Sequence, residues 1–247
     1  GSKKYGALLN RMFARARAIL TINRLIKRSL TETFSIPPEK VLVAPNGTDV
    51  EFFSRPVDRS AWRDRWRIKR DAKLALYVGK CYLWKGMEIF DGVMRALPEV
   101  TFAFVGCTQE EFSQVTGTKA EHPNARFFGQ QPYADMPQWM KIADILLVIG
   151  TRRNEYSYSQ TSPMKLFEYL ATGTPILAAD TPAIRDMVSE REVAFYEPDS
   201  AKSFAEQITR LLSDASYARR IAESARRIAG RFSWEHRAHA ILNKLTQ

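Results

Sequence analysis

One stretch of this chain combines a loop, a helix and a buried strand with groups that suit an anion. It runs Ser162-Pro163-Met164-Lys165-Leu166-Phe167-Glu168-Tyr169-Leu170-Ala171-Thr172-Gly173-Thr174-Pro175, then Ile176-Leu177-Ala178-Ala179. A helix that starts at the carboxyl edge of a parallel sheet points free N–H groups and a positive dipole end into the crevice, where phosphate is well placed. Ser162 is expected to cap the helix, Pro163 suits its first turn, and Lys165 adds a cation. Glu168 lies two turns beyond Thr161 on a similar face, placed to accept hydrogen bonds from paired hydroxyls such as those of a ribose. Gly173 and Pro175 end the helix. Phosphate donors beside one hydroxyl-binding carboxylate point to a nucleotide or nucleotide-sugar.

A second basic loop, Gly79-Lys80-Cys81-Tyr82-Leu83-Trp84-Lys85-Gly86, follows an apolar run. Lys80 and Lys85 would neutralise a diphosphate and, in group transfer, the charge that develops on the leaving group. The plain alternative is two solvated lysines. Tyr156, Ser157, Tyr158, Ser159 and Gln160 offer hydroxyls and ring faces to a sugar, or form a polar loop. Arg152 and Arg153 bind anions or are solvated. The loop is not GxGxxG, no Walker loop occurs, and no nucleophile elbow accompanies a Ser/His/Asp set. The three histidines and two cysteines show no metal-ligand spacing.

The elements that must carry these loops read as alternating strands and helices. Strands are expected at 74–79, 101–106, 125–129, 145–149, 176–179 and 193–196, with helices near 87–97, 109–116, 134–142, 164–172, 182–189 and 201–212. Continuous apolar strands of this kind argue an α/β fold with a parallel sheet covered on both faces. Gly79, Gly106, Gly129 and Gly150 fall at the carboxyl ends, where ligands sit in such sheets. Ahead of them come a helical stretch at 11–18, strands at 18–22 and 41–44, a basic helix at 25–34, the turn Pro45-Asn46-Gly47-Thr48-Asp49, and an Arg- and Trp-rich linker or peripheral helix at 55–70.

The net charge of +10 lies wholly in the first 70 residues, which hold 16 Lys and Arg against 6 Asp and Glu; the rest is balanced. Such a half suits an anionic membrane surface, or is a set of solvated helix faces. Without a basic-aromatic platform or a nucleic-acid module, no nucleic-acid partner is expected. No apolar run approaches a membrane span. The polar start Gly1-Ser2-Lys3-Lys4 is no signal peptide, and Gly1-Ser2 reads as a cloning remnant. Cys81 and Cys107 suit a reduced cytoplasmic protein, although the two could pair.

These residues together resemble the retaining glycosyltransferases of the GT-B fold, specifically glycosyltransferase family 4, across nearly the whole chain. Pro45-Asn46-Gly47-Thr48-Asp49 with Phe53 is similar to the family's PNGVD…F turn, and Gly79-Lys80…Lys85-Gly86 to its GRL…KG loop. Ala143-Asp144 with the strand after it resembles ADVLLxPS. Ser162 to Pro175 resembles the SPLKLFEYMAxGxP variant of the E-x7-E motif, and Phe232-Ser233-Trp234 the closing FSW. The resemblance implies a Rossmann-like, doubly wound sheet with the donor in its cleft. Lys80 and Lys85 are the candidate catalytic residues. Gly79, Lys80, Lys85, Gln160, Thr161, Ser162, Met164, Lys165 and Glu168 would bind the donor, a UDP- or GDP-sugar. Lys80 and Lys85 would hold the diphosphate with backbone N–H groups around Met164 and Lys165, and Glu168 the ribose. The family's first Glu, which contacts the transferred sugar, falls on Gln160. Lys80 replaces an Arg, which removes its bidentate fork. Pro163 stands where many members have Gly and has no N–H. Neither cofactor nor metal is implied.

The implied organisation is residues 1–50 as the tail of an acceptor domain otherwise absent, 51–70 as a linker, 71–230 as the donor domain, and 231–247 as a helix packing back toward the absent domain. The expected activity is transfer to a glycan or lipid-linked acceptor at the cytoplasmic face of a membrane, with this piece binding donor but transferring poorly. The alternatives are a degenerate nucleotide-binding or interaction module, a sugar-nucleotide epimerase, and a membrane-surface protein without catalysis.

Overall fold

The computed structural model describes residues 2–118 and 122–246. Its N-terminal part runs α1 (Ser2–Arg15), β1 (Ile19–Thr21), α2 (Arg24–Phe34) and β2 (Val41–Val43). β1 and β2 pair in parallel as a separate two-stranded sheet, with Ile19 opposite Val41. Ile19, Ile36 and Val41 form a small core there, covered by Phe13 and Phe34. α1 begins well before the expected Arg11.

Two short helices follow, α3 (Val50–Ser54) and α4 (Arg59–Arg65). They lie in the expected linker but belong to the main core: Phe53 is fully buried and Ile68 nearly so. Arg63 is only 2% exposed. Its guanidinium donates to the carbonyls of Ile142, Lys69, Arg70 and Ala72 and to Asp144. Asp144 in turn accepts from the backbone N–H of Leu74 at 2.8 Å. One cation thus fastens the helix to the foot of the sheet by satisfying four carbonyls at once.

The main body alternates β3 (Lys73–Val78), α5 (Ile89–Ala96), β4 (Val100–Val105), α6 (Gln109–Thr116), β5 (Ala125–Phe127), α7 (Met136–Ile142), β6 (Ile145–Val148), α8 (Met164–Thr172), β7 (Ile176–Ala179), α9 (Pro182–Arg185), β8 (Ala194–Tyr196) and α10 (Ala201–Ser213). Its six strands are all parallel in the order β5-β4-β3-β6-β7-β8. Helices cover both faces, α5 against α10 on one, and α7 and α8 with α3, α4 and α11 (Ala215–Ile228) on the other. The expected α/β, Rossmann-like doubly wound sheet is therefore present. The strand order reverses between β3 and β6, and the crevice of such a sheet opens at that reversal. The loops after β3 and β6 are the basic loop 79–86 and the polar loop 150–162.

The chain closes with α11 (Ala215–Ile228) and α12 (Trp234–Thr246). Gln247, at the end of the expected last helix, and Gly1 lie outside the described residues. The start of α12 meets the 45–49 turn: the N–H of Thr48 donates to the carbonyl of Phe232 at 2.8 Å. A Cβ on Gly47 would stand 2.8 Å from the Trp234 ring, so only glycine fits. Among the described residues no helix is long and apolar enough to cross a membrane.

Candidate functional site

Helix α8 buries Leu166, Phe167, Tyr169, Leu170 and Ala171 against the sheet. Its period leaves Lys165 and Glu168, one turn apart, on the remaining face. Tyr169 sets the helix position: its Oη accepts from the N–H of Val78, the last residue of β3, at 3.1 Å. Lys165, one turn earlier, therefore reaches the end of that strand. A Cβ on Gly79 would lie 3.1 Å from the Lys165 Nζ. Gly79 also has φ +130° and crowds Gly106, whose own Cβ would come within 3.1 Å of it, so both close approaches require glycine.

The Lys165 Nζ is buried without a hydrogen-bond partner among the described residues. It stands 3.7 Å from the centroid of the Tyr77 ring, a cation–π position. Burial, then the neighbouring Lys85, pull its pKa well below the usual lysine range, and Glu168 only partly opposes this. Lys85 ends a short turn after β3. Its Nζ donates to the Tyr77 Oη at 3.4 Å and to the Lys80 carbonyl at 3.3 Å, and lies over the rings of Tyr82 and Trp84. Burial lowers its pKa to about 8. Glu168 makes no hydrogen bond or ion pair with a described residue. Burial raises its carboxyl to about 7, against the pull of Lys165. The wall thus holds two desolvated amines and one desolvated carboxyl, an arrangement that an anion with hydroxyl groups would relieve.

The other expected residues divide. Lys80 contributes its carbonyl to this cluster, while its side chain is exposed. Met164 is 45% exposed at the start of α8. Ser162 does not cap α8. Pro163 occupies the cap position, outside the first turn, and no side chain caps the helix. Asn46 takes Ser162 instead, its N–H reaching the Oγ at 3.4 Å and its Nδ2 the carbonyl at 3.1 Å. Thr161 is half-buried and offers its carbonyl to Asn23. Gln160 is exposed and lines a separate cleft of about 580 Å³, formed with Ile22, Ile26 and Ser29 of the α2 segment and Tyr156 of its own turn. Residues 156–160 form a π-helical turn. Arg152 and Arg153 pair with Glu197 and Glu88.

Several residues that matter here escaped the sequence reading. Asn23, fully buried, caps α2 and donates its Nδ2 to the carbonyls of Ser159 at 3.0 Å and Thr161 at 3.1 Å. It ties the N-terminal part to the loop before α8, and its place ahead of an amphipathic helix was a readable cap signal. Tyr77 is hidden in the sequence because it sits inside an apolar strand. Cys81 and Cys107 are joined as a disulfide with Cα atoms 5.8 Å apart. The reduced state suggested by composition is therefore not the one described. The bond staples the loop after β3 to that after β4, at the rim of the crevice.

The chain matches the family described as Glycosyl transferases group 1 over residues 58–228. A D-inositol 3-phosphate glycosyltransferase of Segniliparus rotundus is 26% identical over 95% of this chain and 54% of that protein. One from Xylanimonas cellulosilytica is 24% identical over 95% of this chain and 58% of that protein. The chain thus spans a little over half the length of these curated relatives. Among solved structures, sucrose-phosphate synthase of Thermosynechococcus elongatus superposes with TM-score 0.78 at 20% identity, over 98% of this chain and 60% of that one. Anabaena HepE in complex with UDP-glucose gives 0.78 at 19% identity, over 100% and 68%. At such identities the structures establish the fold.

Proposed function

The chain belongs to the glycosyl transferases group 1 family, and from that premise we propose that it is the donor-binding part of a retaining glycosyltransferase using a nucleotide-sugar. The observation that carries this reading is the pair of lysines without an ion-pair partner among the described residues, Lys85 half-buried and Lys165 with a buried Nζ, beside Glu168 at the reversal of the strand order. The lysines and the free N–H groups of Met164 and Lys165 would hold the diphosphate, with Lys80 reaching it from the exposed side of the loop. Glu168 would accept from the ribose hydroxyls. In transfer, the bond between the sugar C1 and the diphosphate breaks and the diphosphate leaves with the electron pair. The lysines stabilise that charge where it develops. The acceptor hydroxyl bonds to C1 and passes its proton to the oxygen of the departing diphosphate. The HepE structure supports a UDP-sugar donor by its bound UDP-glucose. Retention rests on the family resemblance, as does a glycan or lipid-linked acceptor. The lysines and the backbone N–H groups would supply the positive charge the diphosphate needs, and the proposal calls on no metal.

A second reading, a binding module without turnover, is favoured by Gln160, a neutral amide where the resemblance places a glutamate. Turnover of UDP- and GDP-sugars by the full-length protein separates the two, with the product anomer read by NMR. The proposal expects transfer with retained configuration, lost in Lys85→Ala. Donor binding without any turnover would favour the module, and an inverted product would refute retention.

A further inference from the structure

Both lysines of the candidate site converge on one buried residue. We propose that Tyr77 is the positioning residue of this site, holding the Lys85 ammonium through its hydroxyl and the Lys165 ammonium against its ring face. The inference rests on the donor-site reading above and adds a residue that touches no substrate.

Tyr77 is the penultimate residue of β3 and is fully buried. Its ring packs on Phe90 and Phe104 with centroids 6.0 and 6.2 Å away. A phenylalanine would fill that space as well. The hydroxyl is the added feature, and a buried hydroxyl needs partners. Its partners are both in the crevice loop: it donates to the Lys80 carbonyl at 3.1 Å and accepts from the Lys85 Nζ at 3.4 Å. The ring face meanwhile lies 3.7 Å from the Lys165 Nζ. One side chain on the strand thereby meets three groups of the basic wall, two from the loop and one from α8.

The choice of a neutral group has a physical reason. An aspartate or glutamate here would hold both amines more firmly, but would cancel their charge and repel a diphosphate. A phenol held protonated by burial offers an acceptor lone pair and a negative ring face without carrying a charge. No carboxylate of a described residue pairs with either lysine. The charged and titratable groups facing the cluster among the described residues are Tyr82 from the loop, Glu168 and Tyr169 from α8, and Tyr196 from β8. Of these, Glu168 alone supplies opposite charge.

Accepting a hydrogen bond from Lys85 favours the charged amine, while burial disfavours it and sets its pKa near 8. Removing the hydroxyl therefore lowers the Lys85 pKa further, and an anion that needs the ammonium is lost at lower pH.

Tyr77→Phe keeps the ring and removes only the hydroxyl, and a thermal melt checks that it folds. Two readouts are needed. The first is the Lys85 titration in the free protein, followed by NMR with labelled lysine side chains. A midpoint near 8 in the wild type should fall by about half a unit or more in Tyr77→Phe. The second is the affinity for UDP-glucose and GDP-glucose across pH. Wild type and Tyr77→Phe should match within about two-fold at pH 6.5, and differ by about three-fold at pH 8.5 for that half-unit shift. An unmoved Lys85 midpoint in Tyr77→Phe overturns the inference whatever the nucleotide result. A moved midpoint in a protein that binds neither nucleotide-sugar overturns the donor reading instead, and supports the hold of Tyr77 on the lysine.

Discussion

Donor binding should have a narrow pH optimum. In the proposed site Glu168 has to be ionised to accept fully from the ribose hydroxyls, and burial places its carboxyl at about 7. Lys85, as proposed, has to be protonated to meet the diphosphate, and burial places its amine at about 8. Raising the pH through 7 therefore creates the competent carboxylate, and raising it through 8 removes the competent ammonium. At pH 7.5 each group is about three-quarters in the required form, so rather more than half of the molecules carry both. At pH 6 only about a tenth have the carboxylate, and at pH 9 only about a tenth have the ammonium, so affinity falls about six-fold on either side. The assay is calorimetric titration from pH 6 to 9 with a nucleotide-sugar. A free nucleoside diphosphate is unsuitable, because its terminal phosphate titrates near pH 6 itself. Glu168→Gln should flatten the acid limb and Lys85→Met the alkaline limb. A profile flat between pH 6 and 9, or one whose limbs both survive these substitutions, would refute the reasoning. Stability of the free protein moves oppositely on the Glu168 side. A carboxyl raised in the folded state favours folding when protonated, so that contribution is lost as pH rises toward 7.

Two further predictions concern the frame around the site. Arg63→Met removes a buried guanidinium that serves four carbonyls and Asp144. It should destabilise the fold by about 3–5 kcal/mol, or roughly 6–20 °C in melting temperature, and urea or thermal unfolding showing less than about 1 kcal/mol would reject this role. Joining Cys81 and Cys107, 26 positions apart, should add about 3.5 kcal/mol by loop entropy. Reductant should therefore lower the wild-type melting temperature and leave that of Cys81→Ser/Cys107→Ser unchanged. An equal response in both would show that the bond contributes nothing.

The sheet was legible because strands buried on both faces read as continuous apolar runs, as in Leu74-Ala75-Leu76-Tyr77-Val78. The helices that bury a broad face were legible too. Helix α11 was not, because its core stripe of Tyr217, Ala218, Ile221, Ala222 and Ala225 is narrow and mostly alanine among arginines. Its cap, Asp214, was the available signal. The two basic loops of the candidate site could be placed at carboxyl ends of strands from spacing alone. What spacing could not supply was which distant groups complete them. Asn23 holds the loop at 159–161, Asn46 holds Ser162, and Gly47 admits Trp234, each across more than a hundred residues. Arg63 and Tyr77 show the same limit from opposite sides. An arginine in a basic segment reads as solvated, and a tyrosine in an apolar strand reads as filler. Only the assembled packing shows that the first anchors a helix and the second faces two amines. The misplaced cap at Ser162 has a local cause: Pro163 takes the cap position, and the Ser162 hydroxyl accepts from the Asn46 N–H instead.

In the proposed site the crevice between β3 and β6 takes a nucleoside diphosphate on Lys85 and Glu168. Calorimetric titration with UDP, GDP and ADP, of the wild type and of Lys85→Ala and Glu168→Ala, decides this. Selective binding of one nucleotide is expected, weakened about ten-fold or more in each variant. Binding that is equal in all three proteins, or no binding of any of the three nucleotides, would contradict it.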